Sequence, residues 1–123
     1  MLFTDRPCRS MTALEVVYDM EKKEQVHSYT FPDKVANYTS CFLNDIVLQY
    51  VNGQVKFAYI TDSRDAKLYV YDYDQNTSYF FKDSSMQPAQ PGGVPIDGTA
   101  MSAQFDSLYY CPIDGLEVFK VTQ

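Results

Sequence analysis

Residues 67–81 place the tightest constraint on the fold. Lys67-Leu68-Tyr69-Val70-Tyr71-Asp72-Tyr73 and Thr77-Ser78-Tyr79-Phe80-Phe81 are rich in aromatic and β-branched residues, and Asp74-Gln75-Asn76 separates them. Such runs around a short polar turn predict a β-hairpin. Side chains on a strand alternate in direction. Leu68 and Val70 therefore share one face of the first strand, while Tyr69 and Tyr71 share the other.

Weaker copies of this first strand lie on either side. Leu14-Glu15-Val16-Val17-Tyr18-Asp19 starts 54 residues upstream, and Leu116-Glu117-Val118-Phe119-Lys120-Val121 starts 48 residues downstream. Each reads Leu, any residue, Val, then Val or an aromatic. A four-stranded sheet recurring at about this interval is the signature of a β-propeller blade. No 3.6-residue period lasts beyond one turn, so the expected fold class is all-β: an incomplete β-propeller segment of antiparallel four-stranded blades.

The chain divides accordingly. Residues 13–31 supply two outer strands of one blade, with a charged turn at 19–24. Pro32 ends the pairing because it lacks an N–H, and a connecting loop follows. Residues 41–82 form one complete blade. Its first strand, Cys41-Phe42-Leu43-Asn44-Asp45-Ile46-Val47-Leu48, is apolar on both faces apart from Asn44 and Asp45, as in a strand buried within stacked sheets. Asn52-Gly53 is the strongest hairpin signal in the chain. Residues 83–95 hold Pro88, Pro91, Gly92, Gly93 and Pro95, a composition that supports neither a helix nor a central strand. Residues 96–122 are read as the first three strands of the next blade, the third of them spanning 116–122.

Composition narrows the function classes. The 123 residues suit one domain, and 11 Tyr and 8 Phe without Trp favour strands. The net charge is −6, and no basic cluster or basic–aromatic interleaving points to nucleic acid. No apolar run approaches the roughly 20 residues of a membrane span. The first residues lack the basic and apolar regions of a signal peptide, which taken alone suggests the cytosol. Asn37-Tyr38-Thr39 and Asn76-Thr77-Ser78 point the other way, since both fit the glycosylation acceptor pattern. Three cysteines leave one over if a disulfide forms. Cys8 with Cys41 is the first pairing to consider, leaving Cys111. Three reduced, partly buried thiols fit the spacing as well.

An ordered set of segments carries a family resemblance. These are Leu14-Glu15-Val16-Val17-Tyr18-Asp19, His27-Ser28-Tyr29-Thr30-Phe31-Pro32, Phe42-Leu43-Asn44-Asp45-Ile46-Val47, Phe57-Ala58-Tyr59-Ile60-Thr61-Asp62, Leu68-Tyr69-Val70-Tyr71-Asp72-Tyr73 and Leu108-Tyr109-Tyr110-Cys111-Pro112. In order and spacing, from about residue 8 to residue 122, they resemble the Yellow and major royal jelly proteins. The resemblance implies a secreted six-bladed propeller, of which this chain supplies about two and a half blades. It is then expected to be a fragment, an incomplete gene model or a reduced paralogue, its signal peptide outside it. Missing blades or another chain would cover its exposed edges. Departures from the family pattern are Asn52-Gly53-Gln54, where relatives usually carry a cysteine, a shorter segment at 83–98, and Gln104-Phe105 in place of a common Ser-Pro.

In a propeller the first strand of each blade lines the central channel, so its polar residues are placed to meet a ligand. Asn44 and Asp45 are the candidates, with Asp97 and Thr99 at the same place in the next blade. Adjacent strand residues face opposite ways, so one of Asn44 and Asp45 is expected in the channel and the other on a loop. A carboxylate and an amide there suit an ammonium group or a divalent cation, although capping of turns and backbone N–H groups explains the same residues. Asp62 and Asp72 read as turn formers. Tyr69/Tyr71 and Tyr109/Tyr110 offer either a stacking wall for an aromatic amine or sheet-on-sheet packing. His27, the single histidine, has no second histidine to make a metal or catalytic site. No phosphate loop, zinc spacing or assembled Ser-His-Asp set is present, so neither a cofactor nor a metal is expected. The resemblance implies a small-ligand binder, with an aromatic biogenic amine as the ligand. Its enzymatic alternative is isomerisation of dopachrome, which needs an acid/base pair beside a ring-sized pocket; the other alternative is a structural or nutritive secreted protein.

Overall fold

A computed structural model describes residues 14–122. Among the described residues nine strands form three antiparallel sheets. The first sheet pairs β1 (Leu14–Asp19) with β2 (Glu24–Thr30). The second runs in order β3 (Leu43–Val51), β4 (Gln54–Asp62), β5 (Lys67–Asp72) and β6 (Thr77–Phe81). The third contains β7 (Ile96–Met101), β8 (Ser107–Pro112) and β9 (Phe119–Thr122). Consecutive strands pair within each sheet and the sheets stack face on face, a partial propeller. One short 3₁₀ turn, Ser84–Met86, interrupts the Pro/Gly-rich segment expected to hold no helix. Asp83 caps it, its carboxylate accepting the Ser85 N–H at 2.9 Å.

The turns follow a local rule. Asp19, Asp62 and Asp72 each end a strand, and the residue four positions on, Lys23, Ala66 or Asn76, has φ of 55°, 54° or 51°. In each case the aspartate accepts backbone N–H groups of the turn: Glu21 and Lys22 on Asp19, Arg64 and Asp65 on Asp62, and Gln75 on Asp72. The carboxylate satisfies donors that the reversing backbone would leave unpaired. Between β3 and β4 the two-residue turn Asn52-Gly53 has φ of 51° and 76°, the positive pair that a tight right-twisting hairpin needs.

β5 sits between two cores. Tyr69 and Tyr71 enter one with Phe31, Val35, Ala36, Cys41, Ala58 and Ile60. Leu68 and Val70 enter the other with Tyr59, Met86, Ile96, Leu108 and Tyr110. All four β5 residues are at most 2% exposed. The first core joins the β1–β2 sheet to the central sheet and the second joins the central sheet to β7–β9. The connection at 32–40, expected to be only a loop, also serves the first core. Turns closed by Val35 and Ala36 N–H on the Pro32 carbonyl, at 2.8 and 3.0 Å, drive both side chains inward.

The third copy of the Leu-x-Val pattern behaves differently. β9 starts only at Phe119, opposite Tyr110, and Leu116 and Val118 stand exposed in the β8–β9 connection. Pro112 ends β8 without a donor, and the Gly115 N–H closes a turn on its carbonyl at 3.1 Å. The chain is therefore already turning where the pattern predicts a strand.

Candidate functional site

The four polar candidates of the first strands meet at one junction between the central and third sheets. β3 and β7 each carry an irregularity in register, between Leu43 and Ile46 and between Ile96 and Thr99. A bulge releases residues from strict alternation and re-aims their side chains. For that reason both Asn44 and Asp45 reach β7, rather than one of them alone. Asn44 Nδ2 donates to Asp97 Oδ1 and, at 2.9 Å, to Ser63 Oγ. Asp45 Oδ2 accepts the Thr99 N–H at 2.9 Å, while its Oδ1 accepts the Ile46 N–H at 2.9 Å. Thr99 Oγ1 donates to the Tyr109 carbonyl at 3.0 Å.

Two residues on β4 and its following turn complete the junction, and both were missed from sequence. Thr61, fully buried, accepts the Asp45 N–H at 3.1 Å and donates to the Asp97 carbonyl at 2.7 Å. Ser63 Oγ donates to the Ile96 carbonyl at 2.9 Å. The signal was available: Thr61 and Ser63 are two apart and share a face, while Asp62 between them faces the first core. There Asp62 accepts the N–H groups of Phe42, Arg64 and Asp65 at 2.8–2.9 Å and the Tyr69 hydroxyl at 2.5 Å. Burial first, and then this carboxylate, push the Tyr69 phenol far above its ordinary range.

Among the described residues the one ion pair is Lys56–Asp74, remote in sequence from this junction. Asp45 and Asp97 thus both stand half-buried at this junction, and among the described residues neither forms an ion pair. Among the described residues no hydrogen bond reaches Asp97 Oδ2 or Asn44 Oδ1. Among the described residues no group of three His, Cys, Asp or Glu gathers as a metal site would require.

The remaining candidates fall elsewhere. Tyr69 and Tyr71 are buried in packing between sheets and offer no wall to a ligand. Tyr110 stacks on Phe119 with ring centroids 5.7 Å apart. Both line an open apolar groove of about 860 Å³ between β6 and β9, with Phe57, Tyr79 and Phe81, apart from the carboxylates. His27 Nε2 lies 2.8 Å from the Tyr71 hydroxyl, a packing role. Asn37 accepts both the N–H and the hydroxyl of Thr39, at 2.9 and 2.6 Å. Asn76 is exposed in the β5–β6 turn and accepts the Tyr71 hydroxyl at 2.6 Å. Cys41 is disulfide-bonded and Cys111 is free; Cys8, the partner first considered, lies outside the described residues.

One titratable residue escaped the sequence reading altogether. Glu15, on β1, is 3% exposed. Its Oε1 accepts the Tyr73 hydroxyl, and its Oε2 is buried without a hydrogen-bond partner. Desolvation pushes its carboxyl up to about 7, against a smaller opposing effect of the Tyr73 hydrogen bond. An alternating strand pattern places Glu15 opposite Val16 but cannot say which face is covered.

Among curated proteins no match was found. The family model described as major royal jelly protein matches residues 5–121.

Proposed function

The chain belongs to the major royal jelly protein family, and on that premise we propose that it is a secreted protein binding a small organic cation at the β3–β7 junction. The observation that carries this reading is the placement of Asp45 and Asp97 at one junction of β3 and β7, where among the described residues neither forms an ion pair. Asn44 and Thr99 hold the two carboxyl groups in place, and Asp97 Oδ2 is left to meet an ammonium group. A charge-assisted bond of that kind is stronger than a neutral one. The extracellular setting is supported by family membership and by two asparagines of acceptor pattern placed at turns. An aromatic biogenic amine is the ligand to try first, with its ring meeting groups other than Tyr69 and Tyr71.

Calorimetric titration with serotonin and with dopamine tests the reading. Saturable heat is expected, weakened at least tenfold in Asp97→Asn. A folded protein that gives no heat with either amine would leave the structural or nutritive role in its place. Faster loss of dopachrome absorbance in the protein's presence would instead assign it catalysis.

A further inference from the structure

The β1–β2 hairpin touches the central sheet only through side chains. The two sheets share no ladder hydrogen bonds, and three polar contacts bridge them. Tyr29 Oη lies 2.9 Å from Ser78 Oγ, His27 Nε2 lies 2.8 Å from Tyr71 Oη, and the Tyr73 hydroxyl donates to Glu15. Aromatic packing surrounds them: Tyr29 on Tyr71 with centroids 4.3 Å apart, and Tyr71 on Tyr73 at 4.5 Å. Of these contacts the one at Glu15 is incomplete. An ionised carboxylate offers about four acceptor positions, and here a single phenol fills one while the second oxygen is sealed from water. A buried charge left this way is costly, whereas a neutral carboxyl is much less so.

Among the described residues no Lys or Arg forms an ion pair with Glu15. From β2 the titratable groups on this face are His27 and Tyr29; from β5 and the residue after it, Tyr71, Tyr73 and, more distantly, Asp72; from β3, Tyr50. Burial raises the phenols of Tyr71, to about 12, and of Tyr73, higher still, and the Glu15 charge adds to both. They therefore stay neutral donors throughout the physiological range. His27 packs on the same side, its ring centroid 5.9 Å from that of Tyr73.

We infer that Glu15 is a protonation-controlled latch: the neutral carboxyl keeps the β1–β2 hairpin docked on the central sheet, and ionisation loosens it. The sign follows from linkage. A carboxyl raised in the folded protein stabilises docking fully below the ordinary glutamate range, and this contribution is lost as pH rises through about 7. Opening exposes Tyr29, Phe31 and the phenols of Tyr71 and Tyr73, so pH would control access to an aromatic face rather than to the Asp45–Asp97 junction.

Hydrogen exchange at the hairpin amides, corrected for the intrinsic effect of pH, reads the opening equilibrium. Between pH 5 and pH 8.5 opening is expected to increase on the order of a hundredfold in the native chain, and hardly at all in Glu15→Gln. Tyr73→Phe removes the one hydrogen bond that favours the ionised form, so its transition should move to higher pH. That variant keeps the test open if Glu15→Gln does not fold. Protection of the hairpin that is flat across this range in the native chain would overturn the latch. So would a transition that survives Glu15→Gln and disappears in His27→Gln.

Discussion

Buried polar groups on the two sides of the central sheet find their partners in different ways. Toward β7–β9, Asn44, Asp45, Thr61 and Thr99 are held by hydrogen bonds that cross between strands, with bulges supplying the reach. Toward β1–β2, Asp62 is equally well satisfied, by three N–H groups and a phenol, but Glu15 has one partner for two oxygens. The difference lies in who supplies the donors. Asp62 ends a strand, where a turn presents free N–H groups. Glu15 lies within a strand, where the backbone N–H groups lie in the plane of the sheet and the side chain stands out of it, so only a facing side chain reaches it. Burial of a carboxyl is stable at a turn and conditional in the middle of a strand.

Substitutions at these positions can break or sharpen that contrast. The largest loss is expected from Asp62→Ala, which strips partners from three backbone N–H groups and the buried Tyr69 hydroxyl; about 3–5 kcal/mol should disappear from the urea unfolding free energy. A loss below about 1 kcal/mol would mean that water or backbone replaces the carboxylate and that the contrast is not energetic. Next comes Leu68→Ala, on the other face of β5, where a cavity among Tyr59, Ile96 and Leu108 should cost about 2–4 kcal/mol by the same measurement. Its cost should be independent of pH between pH 5 and pH 8.5, unlike the Glu15 contribution, because apolar side chains and phenols alone pack around that cavity. The smallest effect belongs to Leu116→Ser. Although Leu116 matches Leu68 in the repeat, its side chain is exposed, and its thermal midpoint should correspond to a change within about 0.5 kcal/mol. A larger loss would show that the Leu116–Val118 segment is covered in solution.

The division of the chain into strands was largely readable because its signals are local. Alternation at Leu68-Tyr69-Val70-Tyr71 predicted two separate faces, and these residues enter two separate cores. Asn52-Gly53 specified a tight hairpin through its tolerance of positive φ. The candidate site was readable only in part. Asn44, Asp45, Asp97 and Thr99 stood out as polar interruptions of apolar strands, but strict alternation predicted that one of Asn44 and Asp45 would turn away. The bulges that bring both onto β7 leave no mark in composition. Thr61 and Ser63 were masked by Asp62, the more conspicuous turn residue between them.

Glu15 and Leu116 mark the boundary between the two kinds of information. Sequence alone determined the all-β class, the period-two faces and the aspartate-started turns, since each depends on backbone geometry within a few residues. The tertiary structure decided which faces are covered. Val16 and Val118 occupy the same place in one motif, as do Glu15 and Glu117, yet Glu15 is sealed beneath Tyr73 while Glu117 is exposed. Burial is a property of what packs on a face, and the residues that pack on Glu15 lie up to 58 positions away.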